Sequence, residues 1–417
     1  MPTSQMRNPT VNSKRQPVNA TLSVESALAR MLEPIRPLPT ELISLLSPDV
    51  DGRRPAQALT AKVPLPGFDN SAMDGYAVRA IDAGKIGNRL EIRGQAVAGS
   101  MAGDAVAPGI AVRIFTGAPL PTGADAVIMQ EDVTVDPGGR SLTINDPVTA
   151  WENVRFQGED TRPGDVLVRA GIALEPQHIA ALLASGWDTV LVHQKPRVAL
   201  VVSGSELRAA GSVLSSGQIH ESNTGMLAAL VRRAGGIVVS SECVPDDASR
   251  LRTALESAVA RADLVLTAGG ASVGDHDLVR PALASAGGTL DFWRVSMKPG
   301  KPFLHGHLNG IPLYGLPGNP VSAFVTSVLF VLPVLRRLQG DPFAAPVARA
   351  AIWGEDVENR DQRRHYIRVT TDADGRIRPS GPQGSHRLAS LAAADGLVDL
   401  PPESTVAAGS VARVLGW

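Results

Sequence analysis

The sequence predicts an α/β multidomain protein whose central α/β domain, residues 196–341, is built on a parallel-type sheet. Between residues 197 and 268, short β-branched runs alternate with helical stretches, an order typical of a parallel sheet covered by helices. Residues 63–150 and 342–417 instead hold short β-like runs interrupted by Gly and Pro, which predicts a small β domain on each side of the central one.

The first predicted element is a helix from Ser23 to about Ile35, with Ser23 as its N-cap. Residues 1–20 before it are polar and lack the apolar core of a signal peptide, so we expect a disordered tail on a cytoplasmic protein. The next elements are β-like runs at 90–93, 111–115 and 126–129, and then a helix at 175–185.

The central domain has the clearest pattern. Strands are predicted at 197–202, 236–240, 263–266 and 311–314, and helices at 224–233, 248–262 and from Asp277 onward. Beyond Pro342, residues 365–370 and 376–378 around the turn 373–375 predict a hairpin within a small barrel.

The most informative motif is Thr-Ala-Gly-Gly-Ala-Ser-Val-Gly-Asp-His-Asp at residues 267–277, directly after a predicted strand. Gly269, Gly270 and Gly274 allow backbone amides to turn toward a ligand, and the start of the following helix favours an anion. Acids in the same turn indicate a divalent cation that bridges to a phosphate. The alternative is that Asp277 only caps its helix.

Two later loops agree with a site for anions. Lys298-Pro-Gly-Lys-Pro302 supplies two ammonium groups, and Gly315-Leu-Pro-Gly-Asn-Pro-Val-Ser322 leads from a strand into a helix. Alone, the first loop would more simply be a solvated hairpin. Glu206, Asp246, Asp277 and the 317–320 turn each follow a predicted strand, so one crevice at the sheet edge can collect them.

Bulk composition limits the classes of function. Lys plus Arg total 40 against 41 Asp plus Glu, a net charge of −1, so we expect no nucleic-acid or membrane-surface binding. The single cysteine, Cys243, excludes an intrachain disulfide and multi-cysteine metal sites, and we expect its thiol to be buried. The longest apolar stretch, 321–335, is too short for a membrane span.

These motifs resemble the MoeA family of molybdopterin molybdenumtransferases, which includes the E domain of gephyrin. The resemblance covers about residues 21–417. Besides the glycine motif and the two loops, it is carried by segments 66–78 (Pro-Gly-Phe-Asp-Asn-Ser-Ala-Met-Asp-Gly-Tyr-Ala-Val), 115–118, 128–131, 153–160, 217–219 and 383–386 (Gln-Gly-Ser-His).

The resemblance implies a fold and an activity. Segments 21–62 and 151–195 would pack together as one elongated split N-terminal domain that carries the inserted 63–150 β domain, and 342–417 would be a C-terminal β-barrel. The family inserts molybdate into adenylylated molybdopterin, with Mg²⁺, releasing AMP and giving the molybdenum cofactor. It works as a homodimer, and the resemblance also implies contacts with the molybdopterin adenylyltransferase and with molybdoenzyme maturation proteins.

The resemblance also implies roles for individual residues. Asp246, Asp277 and Glu206 would act catalytically and hold Mg²⁺, and Asp160, Asp74 and Thr116 would be further catalytic positions, with Asp74, Thr116 and Asp160 able to reach the partner's pocket. Molybdate and the pterin nucleotide would contact a larger set of cations, donors and glycines: Lys298, Pro299, Lys301, Arg294, Ser322, Arg368, Ser385, Gly269, Gly270, Ser272, Gly274, Gly318 and Asn319.

Several of these residues also fit purely structural roles. Asp74 and Thr116 each precede a glycine and could serve turns. Asp160 could cap a turn or pair with Arg155, and Arg368 could be a charge on a solvated strand face.

One position departs from the family pattern. The usual Ser-Thr-Gly-Asp-Glu-Leu is Val-Ser-Gly-Ser-Glu-Leu at residues 202–207, so Ser205 replaces an acid next to Glu206. One carboxylate fewer alters the expected Mg²⁺ arrangement.

Two other functions are weighed against the transferase. A molybdopterin adenylyltransferase shares the central fold but lacks both the Met73-Asp-Gly-Tyr-Ala77 region and the C-terminal Gln-Gly-Ser-His segment. A non-catalytic scaffold of gephyrin type need not keep the site residues, and this chain keeps nearly all of them.

Overall fold

A computed structural model describes residues 21–100, 105–270 and 278–417. Contacts divide the chain into two compact units, Leu42–Leu191 and the unit formed by Met1–Glu41 with Val192–Trp417. The predicted tail and residues 271–277 of the glycine motif lie outside the described residues. The finer division into five segments stays a prediction.

The elements follow the predicted alternation closely. The strands are β1 Thr40–Ser44, β2 Leu59–Thr60, β3 Asn70–Ser71, β4 Gly75–Val78, β5 Arg89–Ala96, β6 Ile110–Ile114, β7 Ala126–Met129, β8 Val133–Val135, β9 Ser141–Ile144, β10 Val154–Arg155, β11 Val166–Val168, β12 Thr189–His193, β13 Arg197–Ser203, β14 Leu207–Arg208, β15 Ile219–His220, β16 Ile237–Val244, β17 Leu264–Ala268, β18 Thr289–Arg294, β19 Met297–Lys298, β20 Pro302–Leu308, β21 Ile311–Leu316, β22 Ala348–Trp353, β23 Val357–Asn359, β24 Arg364–Thr371, β25 Arg376–Pro379, β26 Gly396–Leu400, β27 Ser404–Val406 and β28 Val411–Leu415. The helices are α1 Val24–Leu32, α2 Ala80–Ala83, α3 Pro176–Ala184, α4 Asn223–Arg233, α5 Ala248–Val259, α6 Val279–Ser285, α7 Pro320–Thr326, α8 Leu332–Leu338 and α9 Leu388–Ala392, with a 3₁₀ turn at Gln130–Asp132 and a π segment at Ser327–Val331.

Helix α1 begins where the sequence predicts and ends three residues early. The Ser23 hydroxyl accepts a hydrogen bond from the Ser26 N–H at 3.1 Å, so it satisfies one of the unpaired amides of the first turn. Ala27 and Met31 are fully buried, four residues apart on the apolar face of the helix.

The unit Leu42–Leu191 contains a six-stranded sheet in the order β7-β4-β6-β5-β9-β8. Three of its strands, β5, β6 and β7, lie at the β-like runs predicted within residues 63–150. Tyr76, Ile128 and Leu142 form part of the buried cluster on one face of this sheet.

The central sheet is mixed, so the predicted parallel-type sheet is correct for four of its six strands. Its order is β16-β13-β17-β21-β20-β18. Strands β16, β13, β17 and β21 pair in parallel, whereas β20 and β18 are antiparallel to their neighbours. The reason is a two-residue turn: Asn309 and Gly310 both have positive φ and fold β20 back onto β21 as a hairpin.

Apolar residues cover both faces of this sheet. Along β13, Val198, Leu200 and Val202 belong to one buried cluster, and Ala199 and Val201 belong to the other.

A continuous helical stretch, Pro320–Leu338, forms much of the first cluster. Among the described residues it is a 19-residue helix long and apolar enough to cross a membrane, but 89% of its apolar window is buried inside the protein, as in a core helix.

The thiol of Cys243 is exposed, which corrects the prediction of a buried one. Its strand, β16, lies at the edge of the sheet, where β13 is its one strand partner among the described residues.

The last sheet has the order β19-β24-β25-β22-β28-β26, and β26 also pairs with β24. That additional pairing closes β24, β25, β22, β28 and β26 into a ring around a core that contains Trp353, Ile367 and Val369. The hairpin predicted around residues 373–375 is confirmed, because β24 and β25 pair antiparallel across it.

Candidate functional site

The strongest candidate site is a cleft at the carboxyl ends of the parallel strands. It has a volume of about 580 Å³ and is formed mainly by the segments after β13, β16, β17 and β21. The lining residues that the sequence had singled out are Glu206, Asp246, Gly269, Gly270, Gly318, Asn319 and Ser322. Parallel strand order brings these sequence-distant residues to one edge of the sheet.

The two described acids that the sequence predicted for the site, Glu206 and Asp246, are both exposed. Ser205 fixes the position of the second: its N–H donates to Asp246 Oδ2 at 3.0 Å, and the Asp246 N–H donates to Ser205 Oγ at 3.0 Å. Among the described residues no other group hydrogen-bonds the Asp246 carboxylate, so its Oδ1 remains for a ligand. The pair joins the segment after β13 to the segment after β16.

Glycine is required where the strand ends pack most closely. Gly269 has φ +87°, and a Cβ there would lie 2.1 Å from the Ser203 carbonyl oxygen. Gly318 packs closely against Gly269, because a Cβ on Gly318 would be 3.3 Å from the Gly269 Cα. The Asn223 side-chain amide donates to the Gly318 carbonyl at 2.8 Å, which holds the loop after β21 against helix α4.

Three side-chain atoms of the lining residues are buried and have no hydrogen-bond partner among the described residues. They are Ser203 Oγ, Asn223 Oδ1 and Asn319 Oδ1. Leaving such an atom unpaired costs about 1–3 kcal/mol. A polar ligand in the cleft would offset that cost, so these atoms favour a binding site over an empty groove.

Ser385 is brought to this cleft from near the end of the chain. The Asn319 side-chain amide donates to Ser385 Oγ at 3.2 Å. Ser322, three residues after Asn319 in the first turn of α7, lines the cleft and is largely buried. The sequence-predicted donors Ser322 and Ser385 therefore flank the same asparagine.

Lys298 lies beside an acid that the sequence analysis did not consider. Its Nζ is 3.5 Å from Asp361 Oδ2, and the Lys298–Pro299 peptide bond is cis. Hydrogen bonds from the Arg363 guanidinium hold the pKa of the Asp361 carboxyl well below its ordinary value, with a smaller effect from Lys298. The charge of Lys298 is thus partly compensated before any anion binds.

Like Lys298, the predicted cations Lys301 and Arg294 are not among the residues that line the cleft. Lys301 is exposed, although the next residue, Pro302, is in the lining. The Arg294 guanidinium stacks on the Trp293 ring at 3.7 Å from its centroid. The structure therefore brings the acids and glycines together but leaves these two cations outside the wall of the cleft.

Arg368 is fully buried, so the alternative of a solvated surface charge is wrong. It donates from Nε to Ser390 Oγ at 3.0 Å and from Nη2 to the carbonyls of Pro382 and Gly384. Burial lowers the pKa of its guanidinium, and these bonds offset the desolvation. Nη1 has no partner among the described residues. Arg368 therefore braces the loop that carries Ser385.

In the unit Leu42–Leu191, Asp74 and Thr116 are in direct contact. Asp74 Oδ1 accepts from the N–H and the hydroxyl of Thr116, both at 2.8 Å. The backbone hydrogen bond, followed by the hydroxyl, lowers the pKa of Asp74. Holding this turn is one role of Asp74.

Asp160 is exposed, and no ion pair with Arg155 occurs in the described part of the chain.

Sequence reasoning missed several lining residues, among them Ser203, His220, Glu221 and Asn223. Glu221 accepts a hydrogen bond from the Thr224 N–H at 2.9 Å and so helps to begin α4. His220, Glu221 and Asn223 could have been found from the sequence, because they form a polar run directly before the helix predicted at 224–233. Three predicted site residues, Ser272, Gly274 and Asp277, lie outside the described residues.

Comparison with known proteins gives a consistent result along the chain. Residues 22–186 match the family model for the MoeA N-terminal region, domains I and II. Residues 199–337 match a probable molybdopterin binding domain, and residues 350–417 match the MoeA C-terminal region, domain IV.

Individual relatives agree over nearly the full length. The chain is 34% identical over 400 residues to a molybdopterin molybdenumtransferase of Haemophilus influenzae, covering 94% of this chain and 98% of the relative. It is 36% identical over 401 residues to molybdopterin molybdenumtransferase 2 of Mycobacterium tuberculosis, covering 94% and 97%. A solved structure of the molybdopterin biosynthesis MoeA protein from Pyrococcus horikoshii matches with TM-score 0.82 and 31% identity, covering 95% and 100%.

Proposed function

The chain belongs to the MoeA family of molybdopterin molybdenumtransferases, and we propose that it inserts molybdate into adenylylated molybdopterin with release of AMP. The observation that carries this proposal is the cleft in which Glu206, Asp246, the Gly269–Gly270 turn and Asn319 meet. A glycine turn that frees amides for phosphate oxygens, beside acids that can hold a cation, suits a substrate with a phosphoanhydride bond.

The acids of the cleft fit Mg²⁺, which prefers oxygen ligands and few protein contacts. Glu206 and the Oδ1 atom of Asp246 would hold it, with Asp277 as a third carboxylate from the glycine motif. When bound, Mg²⁺ would neutralise charge on the phosphates of the nucleotide. Ser205 supplies no charge here, so its part is to orient Asp246 rather than to bind the ion.

The remaining polar groups suit a bound nucleotide and an oxyanion. Ser203 Oγ can donate to a phosphate or hydroxyl, and the buried Oδ1 atoms of Asn223 and Asn319 can accept from ligand N–H or O–H groups. Ser272 and the amides of Gly274 would extend the phosphate contacts of Gly269 and Gly270.

We place molybdate near Ser322, Ser385, Lys298 and Pro299, with Lys301 and Arg294 adding positive potential around it. Molybdate is a dianion, and Lys298 would exchange its contact with Asp361 for the oxyanion. Arg368 holds the loop of Ser385 through the carbonyls of Pro382 and Gly384, so the serine stays beside Asn319.

The proposal extends to assembly and location. A homodimer would let Asp74, Thr116 and Asp160 of one subunit complete the cleft of the other. The enzyme would work in the cytoplasm, where it would receive its substrate from the molybdopterin adenylyltransferase and pass its product to molybdoenzyme maturation proteins.

The test is reconstitution with purified components. Incubation with adenylylated molybdopterin, Mg²⁺ and molybdate should release AMP and form molybdenum cofactor in equal amounts. An adenylyltransferase would instead consume molybdopterin and ATP, and a scaffold would do neither. Absence of both AMP and cofactor with correctly folded protein would refute the proposal.

A further inference from the structure

A second polar cluster lies on the antiparallel strands β18 and β20 of the central sheet. Asp291 is on β18, and His305 and His307 are on β20. Asp291 Oδ2 is 2.9 Å from His307 Nδ1 and 3.5 Å from His305 Nδ1. One ligand atom from each of the three residues lies within 4.8 Å of the others.

The backbone is shaped to bring these side chains together. His305 and His307 are two residues apart on one strand, so both point to the same face. Opposite them the register shifts: Leu290 pairs with Gly306 and Phe292 with His305, which leaves Asp291 as the extra residue of a bulge. A bulge re-aims a side chain, and here it turns Asp291 to the histidine face.

Hydrogen bonds within the cluster do not account for His305. Its side chain is only 2% exposed, and neither ring nitrogen has a hydrogen-bond partner among the described residues. It is enclosed by the rings of Phe292, Tyr314 and His307, with centroids 5.0–5.3 Å away. The Asp291–His307 contact accounts for one imidazole and leaves the buried one unsatisfied.

A metal ion would bind both imidazoles and the carboxylate at once. A neutral imidazole offers a nitrogen lone pair to a metal, and neither ring nitrogen of His305 is hydrogen-bonded to a described residue. Zn²⁺ binds nitrogen and carboxylate oxygen at about 2.0–2.1 Å in tetrahedral geometry, which sets neighbouring ligand atoms about 3.3 Å apart. The two separations from Asp291 Oδ2, 2.9 and 3.5 Å, lie on either side of that spacing, and the ligand atoms of the two histidines lie within 4.8 Å of each other.

We propose that Asp291, His305 and His307 form a Zn²⁺ site that cross-links edge strand β18 to β20, with a water molecule as the fourth ligand. This site is independent of the proposed transferase activity and uses none of the residues assigned to Mg²⁺ or molybdate. His307 and Asp291 are partly exposed, with side-chain exposures of 27% and 39%, which gives the ion a route of entry.

The test is Zn²⁺ titration of tag-free full-length protein by calorimetry after removal of metals with a chelator. We expect one Zn²⁺ per chain and a rise in the unfolding temperature when Zn²⁺ is added. Asp291→Asn and His307→Gln should each weaken binding at least about ten-fold. His178→Gln, which removes an imidazole from helix α3, and Cys243→Ser are the matched controls and should bind as wild type does.

A ligand swap keeps the test decisive if a variant is less stable. His307→Cys should still bind, and its Co²⁺ complex should show the sulfur-to-cobalt charge-transfer absorption that wild type lacks. Zn²⁺ affinity unchanged by Asp291→Asn and His307→Gln, or no stoichiometric Zn²⁺ binding by wild type, would overturn the proposal.

Discussion

Ser205 and Asp246 hydrogen-bond each other reciprocally, each through its backbone N–H and a side-chain oxygen of the other, at 3.0 Å in both directions. Ser205 stands where the family motif usually has an acid. The pair therefore keeps the loops after β13 and β16 joined while leaving one negative charge fewer beside the proposed Mg²⁺ position. That difference gives the first prediction.

Ser205→Asp should lower the Mg²⁺ concentration needed for half-maximal AMP release, by about three-fold to ten-fold, because an additional carboxylate attracts the cation. The measurement is a Mg²⁺ titration of AMP release. Ser205→Asn is the matched control, since it adds similar bulk without charge. Equal Mg²⁺ dependence of the Asp and Asn variants would show that charge at this position is irrelevant.

Gly269→Ala should destabilise the protein far more than Gly211→Ala. Both glycines have positive φ, +87° and +82°, so both substitutions carry the backbone cost of about 1–2 kcal/mol. Only at position 269 would the new Cβ meet a carbonyl oxygen, at 2.1 Å, whereas nothing lies within 4 Å at position 211. Chemical denaturation should give a difference of at least about 2 kcal/mol in the free energy of unfolding. A smaller difference would mean that the strand ends can separate at little cost.

Lys298→Ala should weaken molybdate binding by about ten-fold to a hundred-fold, because a charge-assisted hydrogen bond contributes roughly 1.5–3 kcal/mol. Ser385→Ala should act in the same direction but less, since it removes a neutral donor. Excess molybdate should restore turnover in both. The control is Lys85→Ala, which removes an exposed ammonium group not assigned to the site. If Lys298→Ala loses nucleotide binding and keeps its molybdate dependence, the lysine contacts the phosphate and the two anion positions must be exchanged.

The protein should sediment at roughly twice 43.6 kDa at micromolar concentration. If Asp74 of one subunit serves the cleft of the other, mixing inactive Asp74→Asn with inactive Asp246→Asn should restore activity, because the mixed dimer has one intact cleft. Random exchange would give about a quarter of wild-type activity. No recovery after subunit exchange, or a fully active monomer, would place Asp74 and Asp246 within one subunit or outside the reaction.

Much of the central unit could be predicted because its signals are local. The buried strands β13, β17 and β21 are short β-branched or apolar runs, each followed by a glycine within two residues. The rule that ligands gather at their carboxyl ends correctly grouped Glu206 with Asp246. The sequence analysis did not predict the antiparallel strands β20 and β18, because the preceding segments alternate between strand and helix and only the Asn309–Gly310 pair indicates a hairpin.

What failed depended on contacts between distant residues. Lys298 forms its ion pair with Asp361, 63 positions later, and no local sequence pattern predicts that ion pair. Arg368 alternates with apolar neighbours on β24, yet it is buried because the Pro382–Gly384 loop folds over it. From the sequence, Ser205 indicates only that one acid of the family motif is lost. Its hydrogen bond to Asp246 could not be predicted, because it depends on the parallel pairing of β13 with β16.

The most direct test of the central claim is molybdate-dependent AMP release from adenylylated molybdopterin by wild type, Asp246→Asn and Asp277→Asn. Both substitutions keep side-chain size and remove one negative charge, so we expect AMP release to fall by at least about a hundred-fold while the unfolding temperature stays close to that of wild type. The control, Asp374→Asn, removes an exposed carboxylate from the β24–β25 turn and should release AMP as wild type does. Wild-type rates for Asp246→Asn and Asp277→Asn would contradict the account, because the cleft at the strand ends would then not be where the nucleotide is cleaved.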